Sequence, residues 1–199
     1  MTGVVRLTGA TSNLGNHWKA INWPKVQAEV KRLQKRIAKA VREGKKSKVK
    51  SLQWILSHSH SAKLLAVKSV TSKKGSKTAG VDGVIWNTPV KKMRGVLSLK
   101  RKGYKAKPLR RVLIPKRNGS KRPLGIPCIK DRAMQMLHLL TLTPVAESTA
   151  DNNSYGFRYF RACRDAISQC FCSLAKSYSP RWILDADIKH RFSLLSKPP

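Results

Sequence analysis

The chain has 199 residues, with 42 Lys and Arg against 9 Asp and Glu, and a formal net charge of +33 at pH 7. That charge repels itself unless it meets a polyanion, while 41% hydrophobic residues and five Trp provide for a core, which excludes a merely disordered basic tail. No continuous apolar run reaches bilayer-spanning length, and residues 1 to 17 lack the charged start and apolar centre of a secretory signal, so no membrane partner and an intracellular location are expected.

The charge is unevenly placed. Residues 1 to 130 hold 33 basic residues and only Glu29, Glu43 and Asp82 as acids, a net of +30, whereas residues 131 to 199 hold 9 basic and 6 acidic residues, a net of +3. Residues 1 to 17 read as an unstructured extension. Asn22 with Pro24 then opens a helix that ends near Gly44. Its inward stripe is Val26, Val30, Leu33, Ile37 and Val41, and Lys25, Lys31, Arg32, Lys35, Arg36, Lys39 and Arg42 occupy the other faces. Solvated charge is the ordinary fate of such a face. With almost no acid intervening, a phosphate-facing surface is favoured, which puts forward Lys31, Arg32, Lys35, Arg36 and Lys39 as contacts.

A second helix is predicted over Ser47 to Ser57, with Val49, Leu52, Ile55 and Leu56 inward, and a third from about Ala62 to Val70. His58 and His60 point to different sides and read as polar surface residues. Thr71 to Val84, TSKKGSKTAGVDGV, breaks the pattern and reads as a loop. Glycines allow close backbone approach, and Lys73, Lys74 and Lys77 can neutralise phosphate; residue content alone leaves a flexible connector equally open. Thr88-Pro89 starts a further helix reaching about Lys102.

Leu109 to Pro115 alternates like a strand, and Asn118-Gly119 turns it back into Arg122 to Ile126. Lys116 and Arg122 flank the mouth of this hairpin, where an ammonium and a guanidinium can clamp phosphate oxygens. A plain basic hairpin is the alternative. Asp131 to Leu142 reads as a helix with Met134, Leu137 and Leu140 or His138 packed, ended near Pro144. Tyr155 to Arg158 form a turn whose aromatics either stack on a base or enter a core. Arg161 to Tyr178 is a helix stopped by Pro180, and Trp182 to Ile188 reads as a central strand. Period two puts Asp185 and Asp187 on one face, costly to bury unless a partner such as a divalent ion pairs with them. Cys128, Cys163, Cys170 and Cys172 lack paired CxxC spacing and are expected as buried thiols rather than zinc ligands.

In order, the blocks INWPKVQAEVKRLQKRI, SLQWILSHSHSAKLLAVKSVTSKKGSKTAGVDGVIW, PLRRVLIPKRNGSKRPLGIP, DRAMQMLHLLTLTPVAE, SYGFR and WILDADIK resemble the N-terminal part of a group II intron-encoded reverse transcriptase and maturase, from about Trp18 to Lys189. The resemblance implies an α+β fold, a mostly helical fingers module with a basic β-hairpin and an incomplete palm. It divides the chain into a basic helical domain over 18–105, fingers and the start of the palm over 106–189, and a divergent tail over 190–199. It further implies that Asp187 is the first Mg2+ ligand, that Ile188 offers its backbone carbonyl, that Phe192 screens the nucleotide sugar, and that Lys116 and Arg122 meet the triphosphate. The loop with Lys73, Lys74 and Lys77 would face template and intron RNA.

After Asp187-Ile188-Lys189 the family continues with a small residue, aromatics, an Asp and an Asn, whereas this chain reads His190, Arg191, Phe192 and Ser193, as a truncation would. One carboxylate cannot hold two metals. Mg2+ is therefore expected only if the missing palm is supplied by another chain, and no cofactor otherwise. The expected activity is binding group II intron RNA or other structured RNA without polymerisation by the chain alone. Half of a split polymerase, completed by a chain carrying palm and thumb, and a decayed remnant are the alternatives.

Overall fold

A computed structural model describes residues 11–117 and 119–186, which fall into two compact units, residues 1–149 and 150–199. The first unit contains α1 (Thr11–Lys19), α2 (Trp23–Arg42), α3 (Lys46–His58), α4 (His60–Ser72), a single 3-10 turn (Lys74–Lys77), α5 (Pro89–Ser98), β1 (Arg110–Pro115), β2 (Lys121–Ile126) and α6 (Ile129–Thr149). The second contains α7 (Cys163–Leu174). The class is α+β, mostly helical with one antiparallel hairpin.

Helix α2 forms where its punctuation predicts. The Asn22 side chain accepts from the Lys25 N–H at 3.0 Å, and Pro24 occupies the first turn, where its missing N–H costs nothing. At the other end Gly44 takes φ +67°, and the Lys45 N–H reaches back to the Ala40 carbonyl at 3.0 Å in a Schellman closure. Val26, Val30 and Ile37 are buried, while Leu33 and Val41 pack at the margin. They meet Leu56, Val67, Met134 and Leu137 in a single core built from α2, α3, α4 and α6. Each fully buried side chain of this kind contributes about 1.5–3 kcal/mol. Ile55, expected inward, is 44% exposed, because α3 turns Leu52 and Leu56 to the core instead.

Several expectations change. From Thr11 the extension is not unstructured, since α1 forms and packs against α5, with Leu14 and Trp18, one helical turn apart, against the core. Trp18 meets Trp23 edge-on at 5.2 Å, and Lys68 sits 4.1 Å above the Trp23 ring. Thr71 and Ser72 belong to α4 rather than to the loop, and α5 stops at Ser98, short of Lys102. Helix α7 is shorter than expected at both ends; at its start the Asp165 carboxylate accepts the Ala162 N–H at 2.7 Å. Cys128 is buried as expected, but Cys163, Cys170 and Cys172 are exposed because α7 buries none of its residues. Trp182 to Ala186 form no strand, since a central strand needs hydrogen-bonded neighbours and, among the described residues, β1 and β2 pair only with each other. The core reading of Phe157 fails too: it lies fully exposed in a turn at φ +59°.

Pro144 does not end α6; the helix runs through it to Thr149. A proline inside a helix leaves the carbonyl four residues earlier without its donor. Here that carbonyl belongs to Leu140, and the Gln34 side chain of α2 donates to it at 2.9 Å, while Gln53 of α3 donates to the next carbonyl, Thr141, at 3.2 Å. The Gln34 amide thus replaces the one lost backbone pairing, and Gln53 adds a second tie to the same turn. Gln34→Ala should cost about 1–2 kcal/mol in urea denaturation. In a Pro144→Ala background, where the backbone N–H returns, the same change should cost markedly less; equal costs in both backgrounds would show that Gln34 does not compensate the proline.

Candidate nucleic-acid interface

Three acids must serve 33 cations over residues 1–130, and each is used internally. Glu29 turns inward to accept the Ser61 hydroxyl. Glu43, at the end of α2, meets Lys45 at 2.9 Å and Lys39 at 3.8 Å, and the Lys45 hydrogen bond holds its carboxyl below the usual range. Asp82 is partly buried, which acts to raise its pKa, but the Val84 N–H, the Cys128 thiol and the Lys107 ammonium outweigh burial and keep it low. Its contacts with Val84 and Lys107 span 3.2 and 3.5 Å.

What remains on α2 is a cationic face. Lys31, Arg32, Lys35 and Arg36 are exposed, in two pairs of i, i+4 spacing, and no carboxylate among the described residues forms an ion pair with them. Like charges at that spacing repel, so the arrangement is stable only because the apolar stripe beneath it is well packed. Lys39 is exposed as well but already shares Glu43.

Lys73, Lys74 and Lys77 are exposed on the 3-10 turn. The loop that carries them is tied down rather than slack. The guanidinium of Arg132 on α6 donates to the Gly75 carbonyl at 2.7 Å and to the Thr78 carbonyl at 2.5 Å. Gly80 serves close approach, as expected of a loop glycine, but to this protein's own backbone: a Cβ there would lie 2.6 Å from the Cys128 Cα.

The hairpin pairs Arg110 with Ile126 through Pro115 with Lys121. The Lys116 N–H bonds to the Ser120 carbonyl at 2.7 Å, and the Gly119 N–H to the Lys116 carbonyl at 3.1 Å, closing the turn. Arg122 pairs with Ile114, and Lys116 lies in the connection immediately after Pro115, the last residue of β1. Arg110, Arg111, Lys116, Arg117, Lys121 and Arg122 are all exposed. The three predicted groups of cations thus stand on three separate elements.

Sequence reasoning missed what orients the hairpin's entry. Asp131, at the start of α6, is buried, accepting the Tyr104 hydroxyl at 2.5 Å and the Lys107 N–H at 3.3 Å. A lone Asp in the first turn of a helix reads as favourable dipole pairing, and nothing local signals its distant partners. Asp187, Ile188 and Phe192 lie outside the described residues, and Asp185 is exposed. Among the described residues no three His, Cys, Asp or Glu side chains gather in one place.

A family model of the N-terminal domain of reverse transcriptase matches residues 18–99, and one of reverse transcriptase (RNA-dependent DNA polymerase) matches residues 114–195. The chain belongs to the reverse transcriptase family. Its relatives include Protein YkfC of Escherichia coli (strain K12), 36% identical over 134 residues, 64% of this chain and 35% of that protein. Group II intron-encoded protein LtrA of Lactococcus lactis subsp. cremoris is 32% identical over 132 residues, 64% of this chain and 21% of that protein. The putative COX1/OXI3 intron 1 protein of Saccharomyces cerevisiae is 28% identical over 138 residues, 67% of this chain and 16% of that protein. The reverse transcriptase region present here is N-terminal, and the chain spans about a third or less of the length of these relatives. None of its described helices is long and apolar enough to cross a membrane.

The Tyr104–Asp131 contact has a pH signature. Burial first, and then the Asp131 carboxylate, push the Tyr104 phenol up to about 12. A phenol whose folded pKa lies above its unfolded value of about 10 stabilises the fold below pH 10 and loses that contribution as pH rises to 12. The stability difference between wild type and Tyr104→Phe should therefore narrow across that window in denaturant titrations. A constant difference would remove the phenol from the account.

Proposed function

We propose that this chain is the RNA-binding, fingers-side part of a group II intron reverse transcriptase and maturase, holding intron or template RNA through α2 and the Lys73–Lys77 turn. The observation that carries this is the exposed cation face of Lys31, Arg32, Lys35 and Arg36, which forms no ion pair with a carboxylate among the described residues, while all three acids of residues 1–130 are engaged elsewhere. An RNA backbone releases its counterions when such a face neutralises it, and this drives binding. The division into a basic helical domain over 18–105 and fingers with the start of the palm over 106–189 is part of the same reading, as is an intracellular location where intron RNA is found.

Alone, this chain binds rather than polymerises. Lys116 and Arg122 at the mouth of the hairpin are suited to triphosphate oxygens by charge and exposure, and Phe192 to the nucleotide sugar. That role requires a Mg2+ site to which Asp187 and the Ile188 carbonyl would contribute, together with further carboxylates. A second reading, a split polymerase, draws on Trp182, Ile183 and Leu184, exposed at 94%, 70% and 91%, an apolar segment suited to burial by a chain carrying the remaining palm and thumb.

Affinity for a structured RNA should fall roughly a thousandfold between about 50 and 200 mM salt if about six phosphates are covered. Reversing Lys31, Arg32, Lys35 and Arg36 to Glu should weaken binding to every RNA tested and flatten that slope. A salt-independent affinity, or one indifferent to the four reversals, would reject α2 as the interface.

A further inference from the structure

One face of α3 is unlike the rest of the cationic surface. Lys50, Trp54 and His58 follow at i, i+4 and i+8, so they share a face. The Trp54 and His58 rings stack at 4.2 Å between centroids with 28° between planes. His58 is fixed there by the contact of its Nδ1 with the Trp54 carbonyl at 2.8 Å. Although His58 covers one side of it, Trp54 remains 59% exposed. A large aromatic held rigid yet open to water is poorly used as a packing residue and well used as a platform.

That platform borders a groove of about 290 Å³ between α3 and α6, whose other wall includes His138 and Leu142. Lys50 and Arg101 line it, and no carboxylate does. Arg101 is anchored by one of its five donors, Nη1 to the Ser57 hydroxyl at 3.1 Å, so the others stay available. Gln53 fastens the groove's base by donating to the Thr141 carbonyl at 3.2 Å. The volume is at the small end of ligand sites, enough for one planar group rather than a helix or a strand.

We infer that the groove between α3 and α6 takes one unpaired nucleotide of a bound RNA, its base stacked on Trp54 and its phosphate held by Lys50 and Arg101. The inference rests on the RNA-binding reading above and adds a strand requirement to it. Cations alone would accept any polyanion, including an acidic peptide; the open, pre-stacked indole selects a flat π system that a peptide carboxylate lacks. A base inside a duplex cannot reach the indole, so the groove separates unpaired from paired RNA, whereas the α2 face reads phosphate charge in either.

The test uses the full chain with two probes, a short oligoadenylate and a blunt-ended RNA duplex of matched phosphate count. Trp54→Ala should weaken oligoadenylate binding roughly tenfold or more, leave duplex binding unchanged, and leave both salt slopes unchanged. Trp54→Phe, which keeps a ring, should recover most of the loss and guards against an effect of misfolding. Equal loss on both probes, or no loss on either, overturns the inference while RNA binding stands. Competition by polyglutamate that disappears in Trp54→Ala would assign the groove to protein and overturn it as well. Failure of wild type to bind either probe overturns the RNA-binding reading with it.

Discussion

The scarcity of carboxylates in the first 130 residues shapes everything above them. With Glu29 accepting from Ser61, Glu43 clamped between Lys45 and Lys39, and Asp82 held by Val84 and Lys107, internal neutralisation is exhausted before the exposed cations of α2 are reached. The resulting self-repulsion opposes folding, and the apolar core of α2, α3, α4 and α6 offsets it. An external polyanion would relieve that repulsion, so binding and stability are coupled by the same charges.

Helix α6 is the second organising element. It carries Met134 and Leu137 into the core, receives Gln34 where Pro144 interrupts its own pairing and Gln53 one residue on, and sends Asp131 and Arg132 to secure the segments on either side. The loop bearing Lys73, Lys74 and Lys77 and the chain leading into the hairpin are therefore both held by its first turn. The hairpin itself is solvated along most of its length, with Leu113 and Leu124 at 55% and 41% exposure.

Local chemistry made much of this legible. The Asn22 cap, Pro24 and Gly44 bounded α2, the i, i+4 stripe found its buried face, and Gly119, at φ +75°, lies between the paired strands as a turn glycine should. The errors arose where distant partners decide. Pro144 reads as a stop because a sequence does not display Gln34 beside it. Leu14 looks like part of a tail until its packing is known, and Asp131 looks like an ordinary first-turn acid until Tyr104 arrives. Trp182 to Leu184 have strand composition but no strand to pair with among the described residues. At the candidate interface the cations themselves were readable, whereas the means of holding them, Arg132 on two loop carbonyls and Gly80 against Cys128, were not.

The central claim is that the surface of α2 and the Lys73–Lys77 turn meets RNA, and lysine footprinting tests it most directly. The full chain would be treated with an amine-reactive reagent in the presence and absence of a structured RNA, and each lysine's modification read by mass spectrometry. Protection is expected at Lys31, Lys35, Lys73, Lys74 and Lys77, with Lys176 in the second unit unaffected. Bound RNA that leaves those five lysines fully reactive would contradict it.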